Sequence, residues 1–169
     1  MWRIIEAYDQ LNAWIRASEG QFIELDNGES YRFVRRMTFM GRELEQFEQD
    51  AGFELPPEYR RFLIGVGAVE LFAGPLSAGI EVRGPGELAD FSRQAFGGTA
   101  ADPYPALLPA VSLSRLGRVG LFRPAGEREE RYGLFDSAAC AENRIDAGGF
   151  ASFDEWIAEL VENRGHATA

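Results

Sequence analysis

Residues 44–72 read LEQFEQDAGFELPPEYRRFLIGVGAVELF, and the fold turns on how this stretch divides. Its first part continues a helical stripe. Met40, Leu44, Phe47 and Ala51 recur at three- and four-residue steps, and Gly52 supplies the stop, since a residue without a Cβ readily takes the left-handed conformation that closes a helix. Pro56-Pro57 then opens a second helix, because the first-turn N–H that proline lacks would have no partner anyway. Tyr59, Phe62, Leu63 and Val66 fall at i, i+3, i+4 and i+7, which gives that helix one buried face. Gly65 and Gly67 break it, and Val69–Phe72 reads as a strand.

Upstream, residues 2 to about 17 carry Ile4, Tyr8, Leu11 and Ile15 on one helical stripe, with Gly20 as the stop. The run QFIELDNGESYRFV (21–34) places two β-prone segments around Asp26-Asn27-Gly28. A two-residue Asn-Gly turn would set Ile23 opposite Arg32. A three-residue loop with Gly28 left-handed sets Ile23 opposite Tyr31 and Leu25 opposite Glu29, and it gathers Ile23, Leu25, Tyr31 and Phe33 on one face. The second register is therefore expected. Downstream, strands are expected near Gly79–Val82, Leu108–Leu113, Val119–Arg123 and Tyr132–Asp136, with a helix near Glu87–Phe96. The last helix is the best marked: Ser152 and Glu155 have capping-box spacing, and Phe153, Trp156, Ile157, Leu160 and Val161 form its apolar face. Runs of helix separated from runs of strand predict an α+β fold, a single compact domain of mostly antiparallel sheet with helices packed on it. Its expected parts are an N-terminal helix and hairpin over 1–39, a core over 40–163 and a frayed tail over 164–169.

The chain has 169 residues, of which 46% are hydrophobic and 26% charged, the balance of a globular domain that needs no staple. All 17 basic residues are Arg, which excludes Schiff-base chemistry and a phosphate-loop Lys. His166 is the single histidine and Cys140 the single cysteine, so a Ser–His–acid triad, a Cys–His pair, a His-built metal site and an internal disulfide are not expected. No catalytic residue, cofactor or metal is expected. Cys140, with no basic neighbour in sequence to lower its pKa, reads as inert. The start, MWRIIEAYDQ, carries Glu6 and Asp9 where a secretion signal needs an unbroken apolar stretch, and uncharged runs such as 62–69 and 71–80 are far shorter than a membrane span. A cytoplasmic protein is expected.

The net charge is −10, the wrong sign for nonspecific nucleic-acid binding. The surplus sits in two blocks. Residues 43–58 hold Glu43, Glu45, Glu48, Asp50, Glu54 and Glu58 with no base, and residues 126–169 hold 10 acids, Glu127, Glu129 and Glu130 among them, against 4 Arg. Two readings stand: solvated helix faces that keep the chain soluble, or a surface that steers a basic protein partner. These nine residues are the candidate partner-binding set.

Other signals have ordinary readings beside sharper ones. Gly84-Pro85-Gly86-Glu87-Leu88-Ala89 loosely matches a dinucleotide fingerprint, yet Glu87 would repel phosphates and no βαβ unit surrounds it, so a turn opening a helix is expected. Arg32, Arg35, Arg36 and Arg42, interleaved with Phe33 and Phe39, could form a nucleic-acid strip; in so acidic a chain they are expected to pair with carboxylates. Trp2 lies off its helix's stripe and is either a frayed end or a partner contact.

The segment from Leu44 to Phe72 resembles the hallmark of the SUKH superfamily, which also contains the Smi/Knr cell-wall-assembly regulators. The matching elements are Gly52, Leu55-Pro56, Glu58, Tyr59, Phe62-Leu63 and Gly65/Gly67, followed in order by the later strands and the FDEWIAEL helix. Val66-Gly67-Ala68 departs from the usual Asn-Gly, and Gly117-Arg118 from the usual Gly-Asp. The resemblance implies a non-enzymatic protein-binding domain. In bacteria that is most often an immunity protein neutralising a cognate toxin, frequently a nuclease. The alternatives are an intracellular regulatory or scaffold protein and, third, a small-substrate hydrolase. Oligomeric state is not legible in the sequence.

Overall fold

The computed structural model describes residues 2–75, 79–96, 102, 104–123, 131–136 and 150–166. A seven-stranded antiparallel sheet runs in chain order: β1 (Phe22–Glu24), β2 (Ser30–Met37), β3 (Ala68–Ala73), β4 (Ile80–Val82), β5 (Leu108–Leu113), β6 (Arg118–Phe122) and β7 (Tyr132–Asp136). The helices are α1 (Trp2–Ser18), α2 (Gly41–Ala51), α3 (Pro57–Gly65), α4 (Leu88–Phe96) and α5 (Phe153–Glu162). Every neighbouring strand pair is antiparallel, so the described residues contain no βαβ unit and the α+β expectation holds.

The hairpin adopts the three-residue register. Ile23 pairs with Tyr31, the Leu25 N–H donates to Glu29 O at 2.8 Å, and Gly28 has φ +83°, where a Cβ would be strained. Leu25, Tyr31 and Phe33 are buried in consequence. In β6 the alternation separates two cores. Phe122 packs with α1, α3 and α5 on one face, while Val119 and Leu121 pack with Phe96 of α4 and Phe135 on the other. The main core is aromatic at its centre, where Phe72 meets Trp14, Tyr31 and Phe33 at ring distances of 4.9–5.6 Å. α1 and the hairpin contribute residues to that same core.

Where α4 does not cover it, the outer sheet face is charged. Glu70 and Glu81 are direct cross-strand neighbours, a like-charge pair that would cost stability alone. Arg32 lies 3.8 Å from Glu70, Arg36 lies 3.2 Å from Glu81 and 2.7 Å from Glu87, and Arg83 lies 3.3 Å from Glu81. The hairpin arginines thus face carboxylates, and Arg35 turns to the Val66 carbonyl and Asn12. Gly84-Pro85-Gly86 is a turn into α4, its Gly84 N–H held by Glu87 at 2.7 Å.

Two expectations need correction. Ser152 accepts from the Glu155 N–H at 3.3 Å, but the Glu155 carboxylate reaches Arg3 at 2.8 Å rather than completing the box. Residues 164–166 do not fray. Arg164 forms a fork with Asp26 at 2.7 and 2.8 Å, His166 lies 2.8 Å from Glu29, and Gly165 packs on Phe72 so closely that a Cβ would sit 2.5 Å from its ring. Residues 167–169, the side chain of Trp2 and Cys140 lie outside the described residues.

Candidate partner-binding surface

α2 is short and intensely acidic, and only Leu44 of it is fully buried, with Phe47 half-buried. Met40 and Ala51, expected on its inner stripe, are exposed because the helix meets the body along a narrow seam. Glu43, Glu45, Asp50 and, past the Gly52 stop, Glu54 are all exposed. Glu43 caps the helix by accepting from the Met40 N–H at 2.9 Å, and Asp50 accepts from the Gln46 amide at 3.0 Å. Asp50 stands in the last turn, where the helix dipole already places negative charge and where no base is present. Apart from the Gln46 bond, folding gives no reason for an acid there.

The other two carboxylates of the block are internal. Glu48 accepts from Arg60 at 2.7 Å and from the Leu55 N–H at 2.7 Å, tying α2 to the linker and to α3. Glu58, in the first turn of α3, is only 7% exposed and accepts from Arg131 at 2.6 Å. Neither presents charge to solvent, so the expectation that they belong to the outer surface is corrected. Proline at the first position of α3 aims Tyr59, Phe62 and Leu63 at the sheet, and Glu58 goes in with that turn. Glu127, Glu129 and Glu130 lie outside the described residues.

Two depressions flank the α2–α3 linker. A shallow one of about 340 Å³ is lined by Glu45, Glu48, Gly52, Phe53 and Glu54. A cleft of about 380 Å³ opens on the other side, between α3 and the start of α5, with Glu58, Arg61, Arg131 and Asp154 in its walls. Arg61 donates to Asp154 Oδ2 at 3.0 Å. Glu58 Oε2, Asp154 Oδ1 and the nearby Tyr8 hydroxyl are buried with no hydrogen-bond partner among the described residues. Burial pushes the Asp154 carboxyl above its ordinary range, against the opposing pull of Arg61, and it pushes the Tyr8 hydroxyl up as well. The Glu58–Arg131 pair, 73 residues apart in sequence, left no local signal that could have revealed it. Among the described residues no group of three or more His, Cys, Asp or Glu could hold a metal, and no helix is long and apolar enough to cross a membrane.

Over 159 residues the chain is 42% identical to immunity protein RhsIB of Dickeya dadantii (strain 3937), covering 94% of this chain and 95% of that protein. It belongs to the RhsIB immunity-protein family. No family model matches the sequence, and no solved structure matches it. Identity at this level along nearly the whole length means that the two proteins share their overall fold.

Proposed function

We propose that this chain is a cytoplasmic immunity protein that neutralises a cognate toxin by binding it, without turnover, and that it meets a basic partner with the exposed carboxylates of α2 and the adjoining linker. Family membership carries the first part. The second rests on Glu43, Glu45, Asp50 and Glu54. They crowd one exposed helix and its exit, have among the described residues no cation within bonding range apart from Arg60 at 3.5 Å from Glu45, and include an acid placed against the helix dipole. Such a surface raises encounter rates with a cationic partner. A toxin with a phosphate-binding cleft, such as a nuclease, has that character, and an acidic face would compete for the cleft. We also read the fold as SUKH-type, on the Gly52 stop, the Pro57 opening and the Tyr59/Phe62/Leu63 face in their observed places.

Expression of a candidate toxin, sought among the genes adjoining this one, with and without the chain, tests the reading. Growth is expected to be rescued and a complex recovered. Association is expected to slow steeply between low and physiological salt, and to slow further when Glu43, Glu45, Asp50 and Glu54 are all changed to Lys. Absence of rescue and complex would overturn the immunity reading. An association rate indifferent to salt would overturn steering by α2.

A further inference from the structure

The cleft between α3 and α5 has the form of a seat for one side chain, and its unmet valences specify which kind. Both unpartnered carboxylate oxygens in its walls, Glu58 Oε2 and Asp154 Oδ1, are acceptors, and both are buried. Glu58 is already committed through its other oxygen to Arg131, itself buried and held in place. Among the described residues, Asp154 has one hydrogen-bonded cation, Arg61, whose side chain is 51% exposed and joined by one bond. A buried acceptor without a donor is costly, and a charged donor satisfies it best. The volume, about 380 Å³, exceeds that of any single side chain, so an entering group need not displace the core.

We propose that this cleft receives a cationic side chain, guanidinium or ammonium, presented by the toxin. Asp154 and Glu58 are its acceptors, and Arg61 is the internal cation that swings out to admit it. The proposal rests on the reading of the chain as a toxin-binding protein and deepens it. The seat adjoins the acidic face across the linker, Glu54 lining one depression and Pro57 the other, so a basic partner steered to α2 is brought next to it.

The roles predict effects of opposite sign from two neighbouring residues. Asp154→Asn removes the acceptor's charge and is expected to weaken binding about tenfold, the scale of one lost charge-assisted hydrogen bond. Arg61→Ala removes the competing cation and is expected to tighten binding several-fold. A residue that merely supported the fold would weaken binding when removed, not strengthen it. Glu58→Gln is the poorer probe, because it also weakens the buried pair with Arg131.

Ethylguanidinium is titrated into the full-length chain and followed by amide NMR, with sodium chloride at equal ionic strength as control, and the toxin's affinity is measured for the same variants. Expected are shifts at Ile4, Ser152 and Asp154, reduced in Asp154→Asn and increased in Arg61→Ala, with the toxin affinities moving in the same directions. Shifts absent from the cleft, or toxin affinity unchanged in Asp154→Asn while the parent binds normally, would overturn the seat and leave the immunity reading standing. A parent that takes ethylguanidinium in the cleft but captures no toxin would overturn the immunity reading, and with it the assignment of the seat to a toxin.

Discussion

Glu54 and Glu58 are four residues apart and have opposite fates: one is exposed at the mouth of a shallow depression, the other is buried against Arg131. Charge density along the chain treats them alike. What separates them is the Pro57 opening, which fixes the rotation of α3 and sends the face bearing Tyr59, Phe62 and Leu63 inward with the first turn. The acidic block therefore has two functions, a surface made of Glu43, Glu45, Asp50 and Glu54, and internal ties made of Glu48 and Glu58.

The largest effect should come from breaking the deeper tie. Glu58→Ala breaks the buried 2.6 Å pair with Arg131 and is expected to cost about 3–5 kcal/mol, read from the urea midpoint. A midpoint that does not move in Glu58→Ala would place Glu58 with the surface set after all. Glu48→Gln keeps an acceptor for the Leu55 N–H but gives up the charge opposite Arg60, and about 1 kcal/mol is expected.

The elements themselves were legible because each is written in local chemistry. The hairpin register follows from which face gathers Ile23, Leu25, Tyr31 and Phe33, and the α3 face from the spacing of Tyr59, Phe62, Leu63 and Val66. The site was legible only in part. Residues 43–58 were recognisable as an acidic block, yet burial of Glu58 depends on Arg131, 73 positions away, and the cleft exists only once α5 is laid beside α3. The docked C-terminus was missed for the same reason. Asp26 and Arg164 are 138 residues apart, and nothing near Arg164 in sequence announces the hairpin it grips.

That docked end gives the comparison a pH dimension. The fork from Arg164 holds Asp26 below its ordinary range, and the Tyr31 hydroxyl, with help from His166, does the same for Glu29. For such depressed carboxylates the stabilisation is present above the unfolded pKa and is lost as pH falls through the folded one. Asp154 is raised by burial, so its sign is reversed: its contribution is fullest below the unfolded pKa and is lost as pH rises through the folded value. Acidification below the ordinary carboxylate range should therefore loosen residues 164–166, seen as faster amide exchange at Gly165, while relieving the cleft. Asp154→Asn should remove the second effect, leave the first, and keep stability at neutral pH equal to or above the parent's.

The smallest stability effect belongs to the exposed set, and its sign is the informative part. Asp50 occupies the last turn of α2, where the dipole's negative end and the absence of any base make a carboxylate unfavourable. Asp50→Lys should therefore raise stability, by about 0.3–1 kcal/mol at low salt. The same change is expected to slow association with a basic partner, since it reverses one charge on the face that steers encounter. A variant that becomes more stable and a slower binder would show that α2 carries acid for its partner at the expense of its own helix. A variant that loses stability would mean that Asp50 is one more internal tie, like Glu48, and that the boundary between the two sets lies elsewhere on the helix.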